Sequence, residues 1–245
     1  MQFRIINKVL FPIAGILLGV VCATPAFARN EVGPREGLPG RRVSGGSRQP
    51  IEACVVGSAP LAALMPESNL TWATDASSTL WFYLPEVASS QQLEFQLYDA
   101  SGKVYETALA APQASGLVGV DLAALAQFDN APRLRSGTAY RWTFAVVCDP
   151  DNRSEDHWVS GWVEWVENGS VRDSGAQDWA LSIDEFATQA QLAPQLATLM
   201  VEWQTLISTV GLEQVIPAHL TAVPVTLEPT APIVSSYRSR QSSED

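Results

Sequence analysis

TAYRWTFAVVCDPDNRSEDHWVSGWVEW, residues 138–165, holds two dense strand patterns joined by a polar turn that opens on a cysteine. Strand side chains alternate with period two, so Tyr140, Trp142, Phe144, Val146 and Cys148 share one face of the first strand. In the second, Trp158, Trp162 and Val166 lie on one face and Val159, Val163 and Trp165 on the other. So dense an apolar pattern describes a packed β-sandwich rather than an active site.

Upstream, Thr79 to Leu84 (TLWFYL) is β-branched and aromatic on both faces and is stopped by Pro85. Leu93, Phe95 and Leu97 alternate with Glu94, Gln96 and Tyr98, and Ala100 to Lys103 turns the chain into Val104 to Leu109, a hairpin with one wet face. Gly116 to Leu122 adds a short strand, and Asn168-Gly169 reads as a type I′ turn after Trp158 to Glu167, leading into Ser170 to Arg172. Six or seven short strands at this spacing predict a mainly β fold, an antiparallel immunoglobulin-like sandwich. Leu134, Gly137, Tyr140, Trp142 and Phe144 sharpen that expectation. A tyrosine just inside a late strand, after a glycine turn, is how such sandwiches build a tyrosine corner, its hydroxyl tied to upstream backbone.

Beyond Asp173 the period changes to 3.6. Trp179, Ile183, Phe186 and Ala190 fall on one helical face; Leu196, Leu199, Met200, Trp203, Leu206 and Ile207 form a second stripe. These are two amphipathic helices broken near Pro194, with one more turn allowed at Leu212 to Ile216 after Gly211. Strands apolar on both faces need cover on both, so the helices are expected to lie on the outside of one sheet, with Trp203 central to the contact.

The amino terminus carries Arg4 and Lys8, an apolar run from Val9 to Val21, and Ala26-Phe27-Ala28, the small-x-small pattern of a signal peptidase site. The run is shorter than the roughly 20 residues a bilayer span requires. Bulky Val20 and Val21 before Cys22 argue against lipidation. The expected organisation is a Sec-type signal peptide over 1–28, a flexible Arg/Gly/Pro-rich linker over 29–50, the sandwich over 51–173, a helical cap over 174–216 and a disordered tail over 217–245. Release into the periplasm or the medium follows, with no membrane span in the mature form. Cys54 and Cys148 survive cleavage and are expected to pair, as cysteines do in oxidising compartments. The formal net charge of −11 opposes nucleic acid and anionic membrane partners.

For catalysis the inventory is thin. The chain has two histidines, His157 and His219, and no G-x-S-x-G, H-E-x-x-H or P-loop pattern. His157 stands beside Glu155 and Asp156, but it reads as a loop histidine leading into a strand. Residues 149–156 offer oxygens for calcium, yet Arg153 interrupts the ligand pattern and the sharp-turn glycine is missing. Two cysteines and two scattered histidines make a poor zinc set. No catalytic residue, cofactor or metal is therefore assigned. Eight tryptophans raise the matter of sugar platforms: Trp81, Trp142 and Trp162 read as core, and Trp72 and Trp158 as the candidates for exposure. Arg41, Arg42 and Arg48 suit docking to an anionic surface such as an acidic polysaccharide, ordering against the protein's own acidic surface, or a solvated linker.

Pro39-Gly40-Arg41-Arg42, Gly45 to Arg48, PLAALMPESNL (60–70), LWFYLP (80–85), YRWTFAVVCDPDNRS (140–154) and SGWVEWV (160–166) resemble, in order, a family of secreted, mainly cyanobacterial proteins known as domain of unknown function 928. The helical portion with Trp203 and residues 208–212 is similar to that family's closing helices. The resemblance implies an exported protein and brings no activity, ligand or catalytic residue with it. The function expected is that of a non-enzymatic interaction module for an envelope or extracellular protein. A carbohydrate-binding module acting through exposed tryptophan is the alternative, and an unrecognised hydrolase the third reading.

Overall fold

The computed structural model of the 245-residue chain describes residues 38–45, 54–56, 58–74, 78–88, 91–127, 134–167, 174–194, 198–220 and 222–231. In chain order these form β1 (Val55–Val56), β2 (Ala62–Leu64), β3 (Leu70–Ala73), β4 (Thr79–Leu84), β5 (Glu86–Val87), β6 (Gln92–Asp99), β7 (Gly102–Ala110), β8 (Gly116–Asp121), α1 (Leu122–Leu125), β9 (Thr138–Val147), β10 (His157–Trp165), α2 (Ser174–Leu192), α3 (Thr198–Thr209), β11 (Val225–Thr226) and β12 (Pro229–Ala231). The expected signal peptide, Arg48, Leu196, the Asn168-Gly169 turn and the strand at Ser170 to Arg172 lie outside the described residues.

One sheet has six strands in the order β12-β7-β6-β9-β10-β3, the other four in the order β11-β8-β4-β2, and β1 and β5 form a short ribbon. The fold is mainly β, but the expectation of purely antiparallel sheets is corrected at two places. β3 runs parallel to β10, and β11 runs parallel to β8. Both are edge strands far in sequence from the strands they pair with, and side-chain alternation reads the same in either direction.

Alternation sorts the two faces of each sheet. Leu93, Phe95 and Leu97 of β6, Tyr140, Trp142, Phe144 and Val146 of β9, and Val159 and Val163 of β10 point inward against Leu80, Phe82 and Leu84 of β4 and Val118 and Val120 of β8. At the centre Phe82 stacks on Phe144 with ring centroids 4.3 Å apart and meets the edge of Trp142 at 5.3 Å. A Cβ at Gly161 would come within 2.6 Å of the Trp142 ring and 2.8 Å of the Met65 side chain, so the glycine in β10 makes room for that indole. Cys54 and Cys148 are joined by a disulfide with Cα atoms 5.4 Å apart, tying the end of β9 to the segment before β1. Closing a loop of 94 residues stabilises by about 4–5 kcal/mol on the chain-entropy account.

The other face of the four-stranded sheet carries Ala62, Leu64, Trp81, Tyr83 and Leu117, and α2 and α3 lie on it through Trp179, Ile183, Phe186, Ala190, Leu199, Trp203 and Ile207. Trp203 is 1 % exposed, stacks on Phe186 and donates its indole N–H to the Pro217 carbonyl at 2.9 Å. Trp81 Nε1 donates to Asp184 Oδ1, tethering sheet to helix. Gly211, at φ +69°, closes α3: Leu212 N–H reaches Ile207 O and Gly211 N–H reaches Ser208 O, satisfying two terminal carbonyls. Met200 falls outside the buried arc and is 56 % exposed, because it sits about 100° round the helix from Leu199. Among the described residues no helix is long and apolar enough to cross a membrane.

Two segments read as loose are paired where they are described. Arg41 bridges Ser160 of β10 and Val43 bridges Ala62 of β2, so residues 41–43 join the two sheets. In the carboxy-terminal stretch β11 and β12 add to opposite sheets, and Leu227 is buried in the core between them. Composition scored both stretches as polar and rich in Gly or Pro. Backbone pairing to an open sheet edge needs neither apolar content nor period.

Candidate functional site

The six-stranded sheet presents its other face away from the helical layer. The register sets the side chains on it: Trp162 opposes Arg141 and Arg141 opposes Tyr98, while Ser160 opposes Thr143 and Thr143 opposes Gln96. Trp158 opposes Ala145, which opposes Glu94. Three aromatic residues thus share one surface with carboxylate, carboxamide and guanidinium groups. Two guanidinium groups are stacked on rings: Arg41 lies 4.1 Å from the Trp158 ring centroid and Arg141 4.4 Å from that of Tyr98.

Hydrogen bonds hold the surface in place. The Tyr98 hydroxyl donates to Gln96 Oε1; Gln96 Nε2 donates to Glu94 Oε1 at 2.7 Å and to Glu106 Oε1 at 2.8 Å. Glu94, buried although charged, is paired with Arg153 at 3.0 Å, and the Glu94 hydrogen bond holds that guanidinium's pKa above the ordinary arginine range. Trp162 Nε1 donates to the Pro39 carbonyl at 3.0 Å, so the amino-terminal segment fixes the indole. Each polar group thereby has a defined direction before any ligand arrives.

Of the sequence candidates, Trp158 is 36 % exposed and lies on this face. Trp72 is half-buried on β3 opposite Glu164, six residues along β10 from Trp158, a separation of about 20 Å. The two share the outer face of the sheet with Trp162 between them, diagonal to Trp72, and do not touch each other. Arg41 joins Trp158, but Arg42 turns inward, donating to Met65 O at 3.1 Å and Val210 O at 2.6 Å, with Glu67 at 3.7 Å. It bonds the carbonyl end of α3, where a cation is favoured. Tyr140, Trp142 and Trp203 are buried, and the Tyr140 hydroxyl accepts the Arg135 backbone N–H at 3.0 Å.

Trp162 is corrected from core to this outer surface. It shares parity with Trp158, and β10 has the second sheet on one face only. Arg141, Tyr98, Gln96 and Glu94 were not singled out as site residues. Their signal was the wet face of the β6–β7 hairpin, but nothing local says that β9 lies beside β6.

The acidic turn is structural in its bonding. Asp156 accepts the Cys148 N–H at 3.0 Å through one oxygen and bonds Arg153 through the other, and Asp149 accepts the Asp151 N–H at 2.9 Å. His157 does not join Asp149 and Asp156 in a shared bond. Its ring lies instead beside the disulfide, with ligand-capable atoms of Cys54, Cys148 and His157 within 4.8 Å of one another. With the sulfurs bonded to each other they are not thiolate ligands. Burial pushes the His157 pKa down, against weaker upward pulls from Asp156 and Glu155. His219 is exposed beyond α3.

Neither the curated proteins nor the solved structures include a match to the chain. A family model does match, over residues 43–220, a span that takes in strands β1 to β10, the three helices and the three aromatic residues of the outer face. The chain belongs to the family described as Domain of Unknown Function (DUF928).

Proposed function

We propose that this protein is an exported, non-catalytic binding module of the cell envelope, built on an immunoglobulin-like sandwich, and that it takes a saccharide on the outer face of its six-stranded sheet. The strand order supports the fold reading: β2-β4-β8 follow the order A-B-E, and β10-β9-β6-β7 follow G-F-C-C′. Tyr140, near the start of the F-position strand with its hydroxyl on upstream backbone, is a second support. The disulfide departs from the immunoglobulin pattern, since Cys148 ends that strand instead of bridging it to the B position.

The observation carrying the ligand reading is that Trp158, Trp162 and Tyr98 share one sheet face with hydrogen-bonding groups already oriented among them. Flat apolar rings take the C–H faces of sugars, and side-chain carboxamide, carboxylate and guanidinium groups take the hydroxyls. Affinity electrophoresis of the full chain through gels containing polysaccharides tests it. Retardation that falls with Trp158→Ala and again with Trp162→Ala is expected, with unchanged far-UV circular dichroism. Identical mobility in every gel would sink the saccharide reading.

A groove between α2 and α3 favours a second reading, an envelope protein partner. It encloses about 530 Å³ above Trp179, Phe186 and Leu206, and Val201 at its wall is 65 % exposed. Capture of one envelope protein by the wild type but not by Val201→Glu would support it. Equal capture by both would remove it.

A further inference from the structure

Four of the six basic side chains in the described residues are paired with acids. Arg42 meets Glu67, Lys103 meets Glu106, Arg135 meets Asp99, and Arg153 meets Glu94 and Asp156. Arg41 and Arg141 are the two described exceptions, and both lie on the aromatic face. In a chain with 26 acidic and 15 basic residues, carboxylates are plentiful, so two exposed guanidinium groups without an ion pair among the described residues, on the same surface, stand out.

Their placement is defined by β10. Arg41 bridges Ser160 across one edge of the strand and Arg141 opposes Trp162 across the other. Two strand spacings sideways and two residues lengthwise put their Cα atoms about 12 Å apart, with Trp158 and Trp162 on the strand between them. Stacking on a ring holds each guanidinium plane and leaves edge N–H groups for a planar, bidentate anion.

We propose that this face binds an anionic polysaccharide, Arg41 and Arg141 taking its carboxylate or sulfate groups while Trp158 and Trp162 take sugar rings; the inference rests on the saccharide reading above. Two separated cations suit a chain whose charges are spaced by sugar units. The protein's net charge of −11 opposes a densely anionic surface such as nucleic acid or an acidic membrane.

The test uses the full chain in affinity gels at physiological salt, with dextran, dextran sulfate, polygalacturonate, its methyl ester and single-stranded DNA. Retardation about tenfold stronger in an acidic gel than in its neutral counterpart is expected, with Arg41→Gln and Arg141→Gln each removing about tenfold of it and leaving the melting temperature unchanged. Trp158→Ala should weaken acidic and neutral binding alike. The dextran sulfate and polygalacturonate arms separate sulfate from carboxylate. Equal retention by dextran and dextran sulfate and by the acid and its ester, or retention insensitive to both arginine variants, overturns the anionic inference while the saccharide reading stands. Retention by single-stranded DNA as strong as by dextran sulfate overturns it as bare polyanion attraction. No retention in any gel removes both.

Discussion

Replacing Trp203 by alanine should destabilise the whole protein, not the helices alone. The side chain is 1 % exposed, stacked 5.7 Å from the Phe186 ring, and its indole N–H is bonded to the Pro217 carbonyl. Truncating a buried aromatic costs about 3–5 kcal/mol, and the orphaned carbonyl adds about 1 kcal/mol unless water reaches it. Against a typical domain stability of about 5–15 kcal/mol, that is a large fraction. At a urea slope near 2 kcal/mol/M the midpoint should fall by about 2 M. Trp203→Phe keeps the stacked ring and deletes the N–H, and should fall between the two. The assay is urea unfolding followed by far-UV circular dichroism for the helices and by tryptophan fluorescence, weighted to the sheets, which hold six of the eight indoles. Coincident transitions, both shifted, are expected because Trp81, Tyr83 and Leu117 of the sheet pack directly on the helical layer. A helical transition that moves alone while the fluorescence transition stays put would refute the reasoning, as would a mutant that unfolds like the wild type.

Three further outcomes follow from the same packing. Gly161→Ala should cost about 1–3 kcal/mol, because the new methyl group overlaps Trp142 and Met65; a wild-type melting temperature would show that the indole yields. Tyr140→Phe should cost about 1 kcal/mol, at the low end because Arg135 is exposed and water can replace the lost acceptor; chemical denaturation with an unchanged midpoint would remove the tyrosine corner as a stabilising device. For His157, burial lowers the folded pKa below the unfolded value near 6.5, so the unfolded chain binds more protons between the two. Stability should therefore be full above about pH 6.5 and decline as pH falls toward the folded pKa, and His157→Gln should flatten that slope; identical pH profiles would exclude the histidine as its source.

The amino-acid order by itself determined the long strands and the two amphipathic helices, whereas β1, β2, β3, β5, β11 and β12 have too few residues for a period to show. Period two placed Tyr140, Trp142, Phe144 and Val146 inward, and period 3.6 placed Trp179, Ile183, Phe186 and Trp203 against a sheet. These are local properties, legible because neighbouring side chains must satisfy one backbone geometry. Pairing between distant strands is not local. Whether β3 runs parallel or antiparallel to β10, whether residues 41–43 pair or dangle, and whether the carboxy-terminal stretch returns to the sheets all depend on which edges the finished fold leaves open. The candidate site belongs to that second kind. Trp158 was readable as an exposed aromatic, but the face it belongs to also draws on residues 41, 98, 141 and 162, brought together only when β6, β9 and β10 lie side by side. The same alternation that showed Trp162 to be apolar was silent on which face of β10 would be covered. The second sheet takes one face of that strand and the helices cover the other sheet, so the structure, not the sequence, leaves Trp162 and Arg141 facing outward.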